Sequence, residues 1–116
     1  MLNYRQTPLD GVFQALSDPS RRRMVERLTA GPASVSELAK PLAMSLPAVV
    51  QHLAVLEGSG LVKSAKAGRV RTCRLDAEVL GAAGRWIEER RALWEQRLDR
   101  LGEYLAGQEP EEGKTS

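Results

Sequence analysis

Ser34-Val35-Ser36-Glu37-Leu38-Ala39-Lys40-Pro41-Leu42-Ala43-Met44-Ser45-Leu46-Pro47-Ala48-Val49-Val50-Gln51-His52-Leu53-Ala54-Val55-Leu56 is the stretch that decides how this 116-residue chain folds. Ser34 and Glu37 stand at capping-box spacing, where each side chain reaches the other's backbone N–H at a helix start. Ser36 is the alternative cap. Leu38, Ala39 and Leu42 give this short helix an inner face. Pro41 has no amide proton and its ring crowds the preceding turn, so the helix must stop within a residue or two. Ser45 is the next N-cap, and Leu46-Pro47 places proline in a first turn, where its missing N–H removes no bond. Val49, Leu53 and Leu56 then recur on one face, up to Gly60, a left-handed cap ahead of apolar Leu61.

Upstream, Leu9, Val12, Phe13 and Leu16 predict a first helix over about residues 9–16. Asp18-Pro19 restarts the chain as N-cap and first helical residue. Met24, Val25 and Leu28 line the second helix, which ends near Ala30 with Gly31 as C-terminal cap. Downstream, Val62 to Lys66 and Arg69 to Leu75 read as strands of a hairpin turning at Ala67-Gly68. From Ala77 to Ala106 helical period returns for about eight turns at 3.6 residues each. Leu80, Ile87, Trp94 and Leu101 fall seven apart, Leu98 and Leu105 interleave, and Trp86, Leu93 and Tyr104 widen the stripe. Gly81 and Gly84 weaken its start. So long an apolar face exceeds what a small domain covers, which predicts packing against a second copy. The expected fold is mainly α with a small β-hairpin: a winged helix-turn-helix over residues 1–106, followed by a disordered tail over 107–116.

Composition adds little until it is divided. The whole chain carries 17 Lys+Arg against 15 Asp+Glu, a net charge of +2. Residues 1–74 hold eleven of those basic groups and five of the acidic ones, and residues 75–116 hold six and ten. One half therefore suits a polyanion. The longest unbroken apolar run is Leu53–Leu56, too short for a membrane span or a secretory core. A lone cysteine, Cys73, excludes an internal disulfide framework and fits a reducing cytoplasm.

Phe13-Gln-Ala-Leu-Ser-Asp-Pro-Ser-Arg-Arg-Arg, Val35-Ser-Glu-Leu-Ala, Ser45-Leu-Pro-Ala-Val-Val-Gln-His-Leu-Ala-Val-Leu, Gly60-Leu-Val and Gly68-Arg-Val-Arg together resemble the ArsR/SmtB transcriptional repressors. The resemblance spans about residues 9–106. The terminal segment Trp86 … Leu93-Trp94-Glu-Gln-Arg-Leu-Asp-Arg-Leu resembles the branch without metal ligands. It implies a bacterial homodimer that represses from a palindromic operator, often at its own promoter. Two positions depart from the pattern: Val50 stands where serine or threonine is usual, and Ala54 where lysine is common.

With Val49 as core direction, Pro47, Gln51 and Ala54 lie about 160°, 200° and 140° round the helix, facing outward. Gln51 suits a bidentate contact to adenine, and Val50 or Ala48 a thymine methyl. Ser45 offers its hydroxyl and a helix N-terminus to phosphate. His52 lies about 60° from the core direction, at the boundary, and the resemblance, which places histidine there, implies a structural or phosphate-proximal role rather than a metal ligand. Lys63, Lys66, Arg69 and Arg71 on the hairpin are expected to meet DNA backbone. Of Arg21-Arg22-Arg23, at most two can face phosphate, and the rest should form ion pairs. Leu9, Val12 and Phe13 of the first helix, with Ile87, Trp94, Leu98, Leu101 and Leu105, are the expected dimer core.

No metal or other cofactor is expected. Val35-Ser36-Glu37-Leu38 holds no cysteine pair, and no histidine follows His52. Glu88, Glu89, Glu95, Asp99 and Glu103 alternate with arginines, as on a salt-bridged helix exterior. Cys73 shares strand parity with Leu75 and reads as a small core hydrophobe. No nucleophile–base group or phosphate loop suggests an enzyme. The partners expected are double-stranded DNA and a second copy. An effector of unspecified chemistry is compatible with the sequence. The competing reading is an interaction module with weak DNA readout, docking a protein or small ligand on the apolar face that carries Val50, Ala54 and Val55.

Overall fold

The structure, a computed structural model, describes residues 7–108. It divides into a unit up to Ala83 and a second from Gly84 onward. The elements run α1 (Pro8–Leu16), α2 (Pro19–Leu28), β1 (Ala33–Ser34), α3 (Val35–Ala39), a 3-10 turn (Lys40–Leu42), α4 (Leu46–Gly58), β2 (Val62–Ala67), β3 (Val70–Leu75) and α5 (Ala77–Gln108).

Side chains close the helix ends as their spacing foretold. The Asp18 carboxylate accepts the Arg21 backbone N–H at 3.0 Å. Ser34 Oγ accepts from the Glu37 N–H at 3.2 Å while Glu37 Oε1 accepts from the Ser34 N–H at 2.9 Å, a complete capping box. Ser45 Oγ accepts the Ala48 N–H at 3.3 Å. The Arg21 N–H holds the Asp18 carboxyl below the usual carboxylate range, and Ser34's backbone N–H does the same for Glu37. Both caps therefore stay ionised below the pH at which free carboxylates take up protons.

The first unit buries one continuous core: Val12 and Ala15 of α1, Met24, Val25 and Leu28 of α2, Leu38 of α3, Val49, Leu53 and Leu56 of α4, with Leu61, Val62 and Cys73 from the sheet side. Cys73 has no exposed surface, and burial pushes its thiol up, away from the reactive thiolate. Val12 was expected at a dimer contact but is 2% exposed, with no surface left to give a partner. Leu9 and Phe13 pack against the same core and stay half-buried.

The sheet has three antiparallel strands in the order β1-β3-β2, with Ala33 opposite Cys73 and Ser64 opposite Cys73 on its other side. Strand β1 was not anticipated, because two residues show no alternation to read. The hairpin turns at Gly68-Arg69, one residue later than expected, with Gly68 at φ 62°. Helix α5 continues through Gly107 and Gln108, two residues beyond the expected tail boundary. The remainder of that tail, residues 109–116, lies outside the described residues.

In the second unit the helix carries large apolar side chains on an exposed stripe: Trp86, Ile87, Leu93, Trp94, Leu98, Leu101, Tyr104 and Leu105, with Trp94 60% exposed. Elsewhere on this helix Arg91 pairs with Glu88 and Glu95, and Arg90 with Glu89 at 3.2 Å while its guanidinium sits 4.6 Å from the Trp86 ring centre. The salt-bridged exterior expected for Glu88, Glu89 and Glu95 is present.

Ala43, in the turn ahead of α4, is the one non-glycine residue among those described with positive φ, at 50°. A left-handed residue bearing a Cβ costs roughly 1–2 kcal/mol, whereas glycine adds only its extra unfolded-state entropy. Ala43→Gly is expected to raise unfolding free energy by up to about 1 kcal/mol in a urea titration. A loss of stability would show that the turn is not strained.

Candidate nucleic-acid interface

Helix α4 is seated by Val49, Leu53 and Leu56, each without exposed surface. That seat turns Pro47, Val50, Gln51 and Ala54 to solvent, with Leu46 and Val55 beside them; Ala48 is only partly exposed. Leu46 is 52% exposed, Val50 40% and Val55 41%. Among Asp, Glu, Lys and Arg, α4 carries Glu57 alone. Ser45 stands exposed at the helix N-terminus, its hydroxyl already accepting from Ala48.

His52 sits at the boundary and is 20% exposed through its side chain. Arg21 Nη1 lies 3.2 Å from its Nδ1 and the Asp18 carboxylate 3.8 Å away. Guanidinium only donates, so in the contact with Arg21 the ring Nδ1 is the acceptor. Arg21 also donates to the backbone carbonyls of Ala15 at 2.7 Å and Gln14 at 3.2 Å, and Arg22 to that of Leu16 at 2.8 Å. At most two members of this arginine triplet were expected at phosphate and the rest in ion pairs. Instead two of its members donate to carbonyls of the last turn of α1, that of Gln14 also accepting from Ser17, where a cation meets the negative end of the helix. His52 thereby links α4 to the α1–α2 corner.

The hairpin separates its basic residues. Alternation puts Lys66 on the face that also carries Ser64, Arg71 and Cys73, and Lys63 on the opposite face, across from Arg74 at the base. Lys66 and Arg69 are exposed at the tip and form no ion pair among the described residues. Arg71 differs from its expected role. Its guanidinium pairs with Glu57 of α4, and its Nε donates to Ser64 Oγ at 3.0 Å, so it braces the wing against α4. The brace brings together residues 14 apart on different elements, and nothing in local spacing could have signalled it.

Three exposed positions were not anticipated: Leu46, Val70 and Arg74. Leu46 and Val70 share an open cleft of about 280 Å3 with Ser34, Val35, Ser36, Arg69 and Arg71, between the wing and the starts of α3 and α4. Val70 is legible in hindsight from strand parity, since it alternates out of phase with buried Cys73. Among the described residues no three His, Cys, Asp or Glu side chains gather as a metal site would require. No single described helix is long and apolar enough to cross a membrane.

Comparison with known proteins agrees with this geometry. The helix-turn-helix domain family matches residues 16–65. The HTH-type transcriptional regulator Rv2034 of Mycobacterium tuberculosis (strain ATCC 25618 / H37Rv) is 48% identical over 82 residues, covering 71% of this chain and 75% of the relative. The transcriptional repressor SdpR of Bacillus subtilis (strain 168) is 27% identical over 79 residues, 68% of this chain and 88% of its own. The crystal structure of an ArsR family transcriptional regulator, RHA00566, superposes with a TM-score of 0.73 at 49% identity, covering 77% of this chain and 98% of that one. These relatives are regulators, not enzymes. An outward-facing α4, a basic wing tip and this similarity agree: the chain belongs to the ArsR family of winged helix-turn-helix transcriptional regulators.

Proposed function

We propose that the chain is a homodimeric cytoplasmic repressor that binds a palindromic operator, its own promoter included, without sensing metal. The observation that carries the reading is the outward face of α4 set beside two unpaired cations, Lys66 and Arg69, at the wing tip. Helix α4 enters the major groove, with Gln51 contacting an adenine edge, Pro47, Ala48, Val50 and Ala54 packing along the groove, and Ser45 meeting phosphate. Lys63 joins the backbone contacts from the hairpin base, and His52 keeps α4 in register. The exposed stripe of α5, with Ile87, Trp94, Leu98, Leu101 and Leu105, supports dimerisation, and Leu9 and Phe13 retain surface to join it. A dimer presents two such faces, as a two-fold operator demands.

The competing reading, a winged-helix dimer that docks a protein or small ligand and reads DNA weakly, is favoured only by the uncharged α4 surface. Footprinting or selection from random duplexes with the purified protein separates the two, since enrichment of a two-fold motif belongs to the repressor alone.

Lys66→Ala with Arg69→Ala should weaken binding to every duplex and flatten the log K against log salt slope by about one per lost phosphate contact. Arg71→Ala should leave that slope unchanged and lower thermal stability through the lost wing brace. Equal slopes for all three proteins would sink the wing assignment. Gln51→Ala is expected to relax preference at one base pair, a loss of about 1–3 kcal/mol for the cognate base. Undiminished discrimination at every position would remove Gln51 from the readout. Sedimentation should find a dimer at micromolar protein and a monomer for Trp94→Glu combined with Leu98→Glu; an unchanged mass would place the dimer contact elsewhere.

A further inference from the structure

We infer that this protein selects its DNA through the C5-methyl groups of thymine, read by aliphatic side chains on α4, in place of charged or hydroxyl readers. The inference rests on the DNA-binding reading above and specifies what the helix recognises. From Leu46 to Leu56 the helix carries no Lys, Arg, Asp or Glu. Its one carboxylate, Glu57, is engaged by Arg71 and so is withdrawn as a cytosine reader. What faces outward is Leu46, Val50, Ala54 and Val55, with Gln51 as the single side-chain amide.

Within the major groove the thymine methyl is the one apolar feature of a base-pair edge. A branched aliphatic group placed against any other edge would cover a donor or acceptor without replacing its bond. Val50 is therefore matched to thymine alone. Gln51, its neighbour, is matched to adenine, so the two residues together favour adjacent A·T pairs. Leu46 and Val50 are four residues apart, about 6 Å along the helix, or roughly two base-pair steps of 3.4 Å. Two methyl contacts per half-site follow.

Charge decides between DNA and an apolar protein partner for this surface. Lys66 and Arg69 stand unpaired at the wing tip, and Arg69 lines the same cleft as Leu46. An apolar strip beside unneutralised cations complements methyl groups set within a phosphate backbone better than it complements a uniformly apolar protein face.

The test begins with a motif selected from random duplexes by the intact chain. Each thymine is then replaced singly by deoxyuridine, which removes the methyl and keeps every hydrogen-bonding group. At two thymines per half-site affinity should fall about fourfold each, the factor that burial of one methyl supplies. The salt slope should not move. Val50 is exposed, so Val50→Ala should fold normally by circular dichroism and lose sensitivity to deoxyuridine at one position only. At that position 5-methylcytosine should bind more tightly than cytosine. A selected motif whose every deoxyuridine version binds as tightly as the parent overturns the methyl readout and leaves DNA binding intact. Failure to enrich any motif overturns both.

Discussion

Three side chains on one stripe of α4, Val49, Leu53 and Leu56, are buried without remaining surface, and this seat fixes the rotation of the helix. A helix locked by three core contacts cannot choose which residues it presents. Pro47, Val50, Gln51 and Ala54 face outward because their neighbours are held inward by the hydrophobic effect. The candidate interface is thus the complement of the core. Its chemistry, apolar with one amide, follows from whichever residues fall at the remaining angles.

Around that seat, polar groups hold the corners. Asp18, Ser34, Glu37 and Ser45 close the starts of α2, α3 and α4, while Arg21 and Arg22 close the end of α1. Arg21 does more, because its guanidinium also reaches His52. The wing is tied to the same helix near its C-terminal end, through Arg71 and Glu57. Helix α4 is thereby anchored by the core along its length, by Arg21 at its middle and by Arg71 near its C-terminal end.

Most helix boundaries were legible because the determinants are local. A cap and its acceptor lie three residues apart, and an inward stripe repeats every three or four. The paired carboxylates of α5 were legible for the same reason, since Arg91 meets Glu88 and Glu95 within one turn on either side. Where the determinants are not local, residue type misled. Arg71 looked like its wing neighbours yet pairs with α4. Lys63 and Lys66 looked like one patch, but strand alternation puts them on opposite faces of the hairpin. Val12 shared a helical spacing with Leu9 and Phe13, and packing of α1 against the core took it out of reach of a partner.

The sequence by itself determined the order of elements, the caps, and the face that α4 turns outward, because these depend on spacings within about one helical turn. Only the tertiary structure decided which cations remain available. A guanidinium binds whatever acceptor lies within reach, and for Arg21 and Arg71 those acceptors, His52 and Glu57, stand 31 and 14 residues away along the chain. Strand β1 belongs to the same class, since two residues become a strand only when β3 lies beside them to receive their hydrogen bonds.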